Sequence, residues 1–175
     1  MDRKPIAAED FNTNIFHILD KGWMLLTAGD MKSSNPMTIS WGFMGTFWFR
    51  PVVIVGVRPQ RYTFEFIEKH DSFTLSAFPE EHREVLNLCG TKSGRDTQKV
   101  EECNLTPIPS KEIDAPGYDE ADLIIECRKI YADAIEEEHF LEKSIIDACY
   151  PGKDFHKLFF GEVVHISGTD KYLKS

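Results

Sequence analysis

Asn35-Pro36-Met37-Thr38-Ile39-Ser40-Trp41-Gly42 leads directly into an apolar run, Phe43 to Val57, which closes on Arg58-Pro59-Gln60-Arg61-Tyr62-Thr63. Met37, Ile39, Trp41 and Phe43 alternate with Thr38, Ser40 and Gly42, the period of a strand with one apolar face and one small polar face. Such a strand buries one face and offers the other. Small residues leave room for a flat ligand to lie against the backbone, and hydroxyl and peptide groups are at hand to bond its edge. The closing segment supplies cations, beside which a helix is expected over Tyr62 to Lys69. The free N–H groups at its start, the helix dipole and the Thr63 hydroxyl would all favour an anion.

Upstream, Asp10 to Leu19 reads as a short helix capped by Asp10, and Trp23 to Ala28 as a buried strand ended by Gly29-Asp30. Thr46 to Phe49 is expected to be a short strand, Arg50-Pro51 a break, and Val52 to Val57 a strand buried on both faces. These strands follow one another through loops too short for crossover helices, which argues for antiparallel pairing and barrel-like closure.

Downstream come a strand over Phe73 to Phe78, a helix begun by Pro79 and stopped by Gly90, a polar loop Thr91 to Asp96 and a short helix from Thr97 to Cys103. Thr106 to Tyr118 is expected to be an exposed connector. A long strand over Ala121 to Ala134, a helical turn over Ser144 to Cys149 and a last strand over Phe159 to Ser167 complete the reading. No linker or repeat interrupts the 175 residues, so one domain, 1–175, is expected.

The net charge of −9 argues against nucleic acid and against an anionic membrane surface as partners. Ile39 to Val57 is apolar enough to suggest a membrane helix, but Arg50-Pro51 cuts it into strand-length pieces. The four cysteines show no C-x-x-C spacing, so no zinc site or dithiol pair is written locally, and free thiols in a reducing cytoplasm are expected. Gly90-Thr91-Lys92-Ser93-Gly94 lacks the glycine order of a Walker loop, because Leu86 stands where the first glycine is needed. A Rossmann fingerprint, H-E-x-x-H and G-x-S-x-G are all missing as well.

Three motifs in order, Asn35-x-Met37-Thr38-x-Ser40-Trp41-Gly42, Arg58-Pro59-x-Arg61-Tyr62-Thr63 and Cys89-Gly90-Thr91-Lys92-Ser93-Gly94-Arg95-Asp96 with Lys99, resemble the flavin reductase-like family of FMN-binding split barrels, which includes flavoredoxins. The resemblance runs from about Trp23 to about Val163. It implies a mainly β fold, a six-stranded antiparallel barrel with peripheral helices, and a homodimer that completes two FMN sites across its interface. It further implies that the flavin ring lies against the strand carrying Asn35, Met37, Thr38, Ser40 and Trp41. Read from the strand pattern alone, Met37 and Trp41 serve equally well as core. Arg61, Thr63 and Lys99 are expected around the phosphate, with Arg58, Ser93 and Arg95 near it and Tyr62 among the cofactor-binding residues, although any one of these cations could instead pair with a surface acid. Phe155 and His156, in a stretch similar to an Asp-Tyr-His sequence of the family, are expected on the substrate side.

The function implied is that of a flavin reductase, with NAD(P)H docking over the flavin and giving it a hydride that passes on to an acceptor. A flavoredoxin-like electron carrier reduced by a protein partner, and a flavin-binding sensor without turnover, remain open on the same residues. In each case the redox chemistry belongs to the flavin and no protein acid or base is needed.

Overall fold

The computed structural model describes residues 1–174. In chain order its elements are β1 (Lys4–Pro5), α1 (Ile15–His17), β2 (Met24–Gly29), β3 (Ser34–Ile39), β4 (Gly42–Phe47), β5 (Arg50–Val57), α2 (Tyr62–Lys69) and β6 (Ser72–Ala77). They continue with α3 (Arg83–Thr91), α4 (Lys99–Glu102), β7 (Pro107–Ile108), β8 (Gly117–Tyr118), β9 (Leu123–Ala134), α5 (Ser144–Cys149) and β10 (Lys157–Gly168).

The stretch from Asn35 to Val57 closes the sheet. Its strands run β3-β2-β6-β9-β10-β5-β4, every pairing antiparallel, with β1 added beside β10. The two ends of that path, β3 and β4, are consecutive in the chain and separated only by Ser40 and Trp41. A two-residue link spans less than ~11 Å, so the sheet has to curl until its edges meet. Counting β3 and β4 as one bent ribbon gives a circuit of six strands, although the sheet itself has eight because the ribbon divides and β1 joins it. This is the expected mainly β, antiparallel split barrel. The split lies at Ser40–Trp41.

Strand β2 shows why the core has two compartments. Met24, Leu26 and Ala28 face the barrel interior with Val53, Val55, Phe73, Leu75, Ile125 and Phe159, whereas Leu25 joins Phe78, Leu86, Cys89, Leu105 and Tyr118 under the helices outside. Alternation on a strand covered on both sides makes every residue of β2 buried. Gly161 of β10 sits where a Cβ would lie 2.6–2.8 Å from Phe73 and Cys127, so a side chain there would collide with the core.

Several local expectations need correction. The first helix is capped by Asn14, whose Oδ1 accepts from the His17 N–H at 3.1 Å, and it widens at once into a π turn, Ile18–Gly22; Asp10 lies in a turn before Phe11, which bridges to Leu173. Trp48 and Phe49 are not strand. They form the β4–β5 hairpin turn, each at positive φ (52° and 59°), and the handedness of a two-residue hairpin demands that conformation even of bulky residues. The Trp48 ring offsets part of its backbone strain, lying 4.4 Å from Phe47 and 5.8 Å from Phe160 between centroids, whereas Phe49 is fully exposed.

Gly90 does not stop α3 but lies in its last turn, where a Cβ would come within 3.3 Å of the Thr38 Cβ. The glycine therefore brings α3 close over β3, and Thr38 Oγ1 donates to the Leu86 carbonyl at 2.5 Å. The connector Thr106–Tyr118 is not exposed throughout. β7 pairs with β8, Ala115 to Tyr118 are buried, and the Glu126 carboxylate, 3 % exposed, accepts the Lys111 and Glu112 N–H groups.

Candidate functional site

Where the ribbon bends, its backbone leaves both sheet edges at once and a cleft opens. One part, about 190 Å³, is lined by Met37, Thr38, Ile39, Ser40, Trp41, Gly56, Arg58, Arg61 and His156. A second part, about 710 Å³, is mostly apolar and is bordered by Phe16, Leu19, Phe43, Met44, Ile54, Ile135 and Leu158, with Tyr150 and Asp20 at its margin. Ser40, Trp41, Gly56 and His156 line both. The site is thus one cleft with a cationic end and an apolar end.

The two arginines of the cationic end are held differently. Arg58 is fully engaged: it pairs with Asp154, donates to the Cys149 carbonyl at 2.8 Å and lies over the Tyr150 ring at 5.3 Å. The hydrogen bonds from Arg58 and Gln60 pull the Asp154 carboxyl below its ordinary range. Arg61, the residue before α2, has only a 3.5 Å contact with the Cys89 carbonyl and no carboxylate partner among the described residues. Burial, and to a lesser degree Arg58, lower its pKa. A guanidinium half removed from water and left without an anion gains most from an anionic ligand.

Behind this surface lies an inner tier. Asn35 (4 % exposed) donates to Thr63 Oγ1 at 2.6 Å, and Thr63 itself is 1 % exposed. Lys99, 4 % exposed, donates to the Pro36 and Cys89 carbonyls at 3.0 Å each, which ties β3 to the end of α3. Its burial lowers the ammonium pKa. Besides Lys99, the Pro36 carbonyl accepts from Asn35 Nδ2 at 3.2 Å and the Cys89 carbonyl from Arg61 at 3.5 Å, and the two shorter bonds to these carbonyls explain why a lysine is tolerated so deep. Asn35, Thr63 and Lys99 therefore brace the cleft's rear wall with their polar atoms bonded inside the protein. A separate polar cavity of about 470 Å³ is lined by Asn35, Pro36 and Lys99 together with Tyr62, Gly94 and Thr97.

The remaining residues singled out in the sequence divide in the same way. Met37 is core at 6 % exposure, whereas Trp41 is half exposed with its ring 5.4 Å from His156. Ser93 and Arg95 do not reach the cleft. Ser93 Oγ accepts the Arg95 N–H, and Arg95 pairs with Glu65 and lies 4.8 Å over Tyr62, so this loop secures α2. Phe155 packs into an aromatic cluster with Phe140 and Tyr150, and His156 alone of that pair faces the cleft.

Tyr150, Asp154 and Gly56 were missed. Gly56 carried a signal, since a glycine inside an apolar strand marks a close approach. Tyr150 carried none, because it acts through Arg58, far away in the sequence, and through a loop conformation that brings it back onto His156 six residues on. The structure also sets Cys89 and Cys103 in hydrogen-bonding contact with each other, and burial pushes the Cys89 thiol up to about 12. All four thiols are free. Among the described residues no cluster of metal-ligating side chains occurs, and no helix is long and apolar enough to cross a membrane.

The flavin reductase like domain model matches residues 16–174. An uncharacterized protein of Pyrococcus abyssi is 27% identical over 143 residues, 80% of this chain and 69% of that protein. Among solved structures, the flavoredoxin of Desulfovibrio vulgaris (Miyazaki F) superposes with a TM-score of 0.67 at 24% identity, covering 87% of this chain and 75% of that one. The NADH:FAD oxidoreductase of Streptomyces globisporus does so at 0.64 and 16%, covering 86% and 77%. At these identities the structural likeness speaks for the fold.

Proposed function

The chain belongs to the flavin reductase-like domain family, and from that premise we propose that it binds FMN in the two-part cleft and acts as an oxidoreductase between NAD(P)H and an electron acceptor. The observation that carries this reading is the continuity of the cleft: an unpaired, half-buried Arg61 at one end, an apolar slot at the other, and Ser40, Trp41, Gly56 and His156 shared between them. That donor set fits a ligand with an anionic tail and a flat ring. Bound flavin supplies the hydride and electron chemistry.

The chain's own residues bind and orient. Arg61 takes the phosphate through its fork, while Asp154 and the Cys149 carbonyl hold Arg58 as a fixed positive charge beside it. Ser40 and the backbone of the bend would bond the ring edge, and Trp41 would supply an aromatic surface for the ring. Asn35, Thr63 and Lys99 keep the wall rigid from behind. The apolar slot excludes water from the reacting face and leaves room there for the nicotinamide.

A second copy of the chain is the proposed cover for the aromatic surface beside the slot. Phe43 (65 % exposed), Phe47 and Trp48 (50 % each) and Phe49 (104 %) lie on one hairpin with half-exposed Tyr131 next to them, far more apolar surface than a lone β-hairpin ordinarily leaves in water. Sedimentation of the wild type as a dimer, and of Trp48→Asp as a folded monomer, is the expected outcome. Free thiols suit a cytoplasmic setting.

The test of the function is an anaerobic titration of the FMN-loaded protein with NADH and then NADPH. Bleaching of the oxidised flavin band within the mixing time supports the reductase and identifies its donor. Bound flavin that neither nucleotide reduces would favour the electron carrier or the sensor. A protein that binds neither FMN nor riboflavin would end the reading.

A further inference from the structure

His156 sits at the junction of the polar and apolar parts of the cleft, and three neighbours fix its ring. Its Nδ1 lies 2.8 Å from the Tyr150 hydroxyl, its ring meets Tyr150 edge-on at 5.5 Å, and Trp41 packs at 5.4 Å on another side. Under it, Gly56 presents bare backbone: a Cβ there would stand 3.3 Å from His156 Cδ2 and 3.4 Å from Cβ and Cγ. The peptide N–H of Ile135 holds the His156 carbonyl at 3.0 Å. The ring therefore has one seat.

The hydrogen bond to Tyr150 also selects a tautomer. Tyr150 is 5 % exposed, and its hydroxyl has no acceptor but Nδ1 among the described residues. If the phenol accepted from Nδ1–H, its own proton would be left without an acceptor in a buried place. If it donates to Nδ1, both groups are satisfied, and the neutral imidazole must carry its hydrogen on Nε2. Nε2 has no partner in the described chain, and His156 borders both cavities.

We propose that Tyr150 and Gly56 are positioning residues that lock His156 into the neutral, Nε2-protonated tautomer, making it a fixed hydrogen-bond donor to an acceptor atom of the cleft's ligand, a ring carbonyl or ring nitrogen, and not a proton shuttle. The inference rests on the flavin reading only for which ligand receives that hydrogen bond. The charged and titratable groups around the ring agree with it. Arg58, next to Gly56 across Val57, opposes a second positive charge. Asp154, on the loop of His156 itself, favours one but is consumed by Arg58 and Gln60, and Asp20 lies at the margin of the apolar cavity. Burial and Arg58 together pull the His156 pKa down to about 4.

The experiment is a nitrogen–proton correlation spectrum of the histidine rings in uniformly labelled wild-type protein without flavin, with His156 assigned from its loss in His156→Gln. The expected pattern at neutral pH is an acceptor-type Nδ1 and a protonated Nε2, unchanged until the pH approaches about 4. In Tyr150→Phe the acceptor-type signature of Nδ1 is lost to a mixture of tautomers, and the midpoint rises because the neutral ring no longer receives the phenol's hydrogen bond. Gly56→Ala, which keeps the phenol, is expected to displace the ring and weaken the same signature. A wild-type His156 protonated on Nδ1, or titrating near 6.5, would overturn the proposal even if Tyr150→Phe failed to fold. Because no flavin is present, neither result depends on whether FMN binds.

Discussion

β3 and β4 are two halves of one ribbon with the same kind of alternation, yet they meet opposite surroundings. In β3 the helices α2 and α3 cover the face turned away from the barrel, so Asn35, Pro36, Met37 and Ile39 are all buried. In β4 nothing in the described chain covers the outer face, and Phe43 and Phe47 stand 65 % and 50 % exposed. Alternation tells which side chains share a face. It does not tell what lies against that face, and the cleft forms at Ser40–Trp41 because the covering changes there.

The largest effect expected from that contrast is on stability. Met37→Ala should cost about 3 kcal/mol, since the cavity lies in a packed interior. Phe43→Ala, measured by the same denaturant titration at a protein concentration low enough to populate monomer, should cost under about 0.5 kcal/mol. Equal losses would mean that β4 is packed within its own chain. Next comes the inner tier: Lys99→Ala removes two charge-assisted hydrogen bonds, to the Pro36 and Cys89 carbonyls, and should cost about 2 kcal/mol. Its FMN and riboflavin affinities should fall together, because a brace acts on the whole wall. A loss confined to FMN would place the ammonium on the phosphate instead.

Arg61→Ala tests the outer tier. FMN affinity should drop about tenfold, roughly 1.4 kcal/mol, with riboflavin little changed, as measured by quenching of flavin fluorescence. The smallest effect is on acid stability. The His156 pKa is lowered in the folded state, so between about 4 and 6.5 the unfolded chain binds more protons and stability falls as the pH falls through that window. Discounted for partial exposure, the contribution is about 1 kcal/mol, present above 6.5 and lost toward 4, and it should vanish in His156→Gln.

Much of the frame was legible because its signals are local. A period of two marked the ribbon, short loops implied antiparallel neighbours, and α2 appeared at the expected residues, Tyr62–Lys69. The hairpin at Trp48–Phe49 is not legible locally, because two aromatics resemble a strand and only pairing with β5 reveals the positive φ that the turn requires. Gly90 was read as a helix stop, its usual meaning, although here it serves the contact of α3 with Thr38.

The site was legible as residue types and not as roles. Arg61 and Lys99 look alike in a sequence, but one faces the cleft without an anion and the other is spent on two carbonyls. By itself the sequence determined the strand period, the antiparallel order and the gathering of cations near the bend, all of which follow from neighbours a few positions apart. Only the tertiary structure decided which cations face the cleft, that Asn35 donates to Thr63, and that Arg58 and Gly56 come to lie against Tyr150 and His156. Those outcomes depend on burial and on register between distant segments, where unpaired polar groups are costly and each must find its partner across the fold.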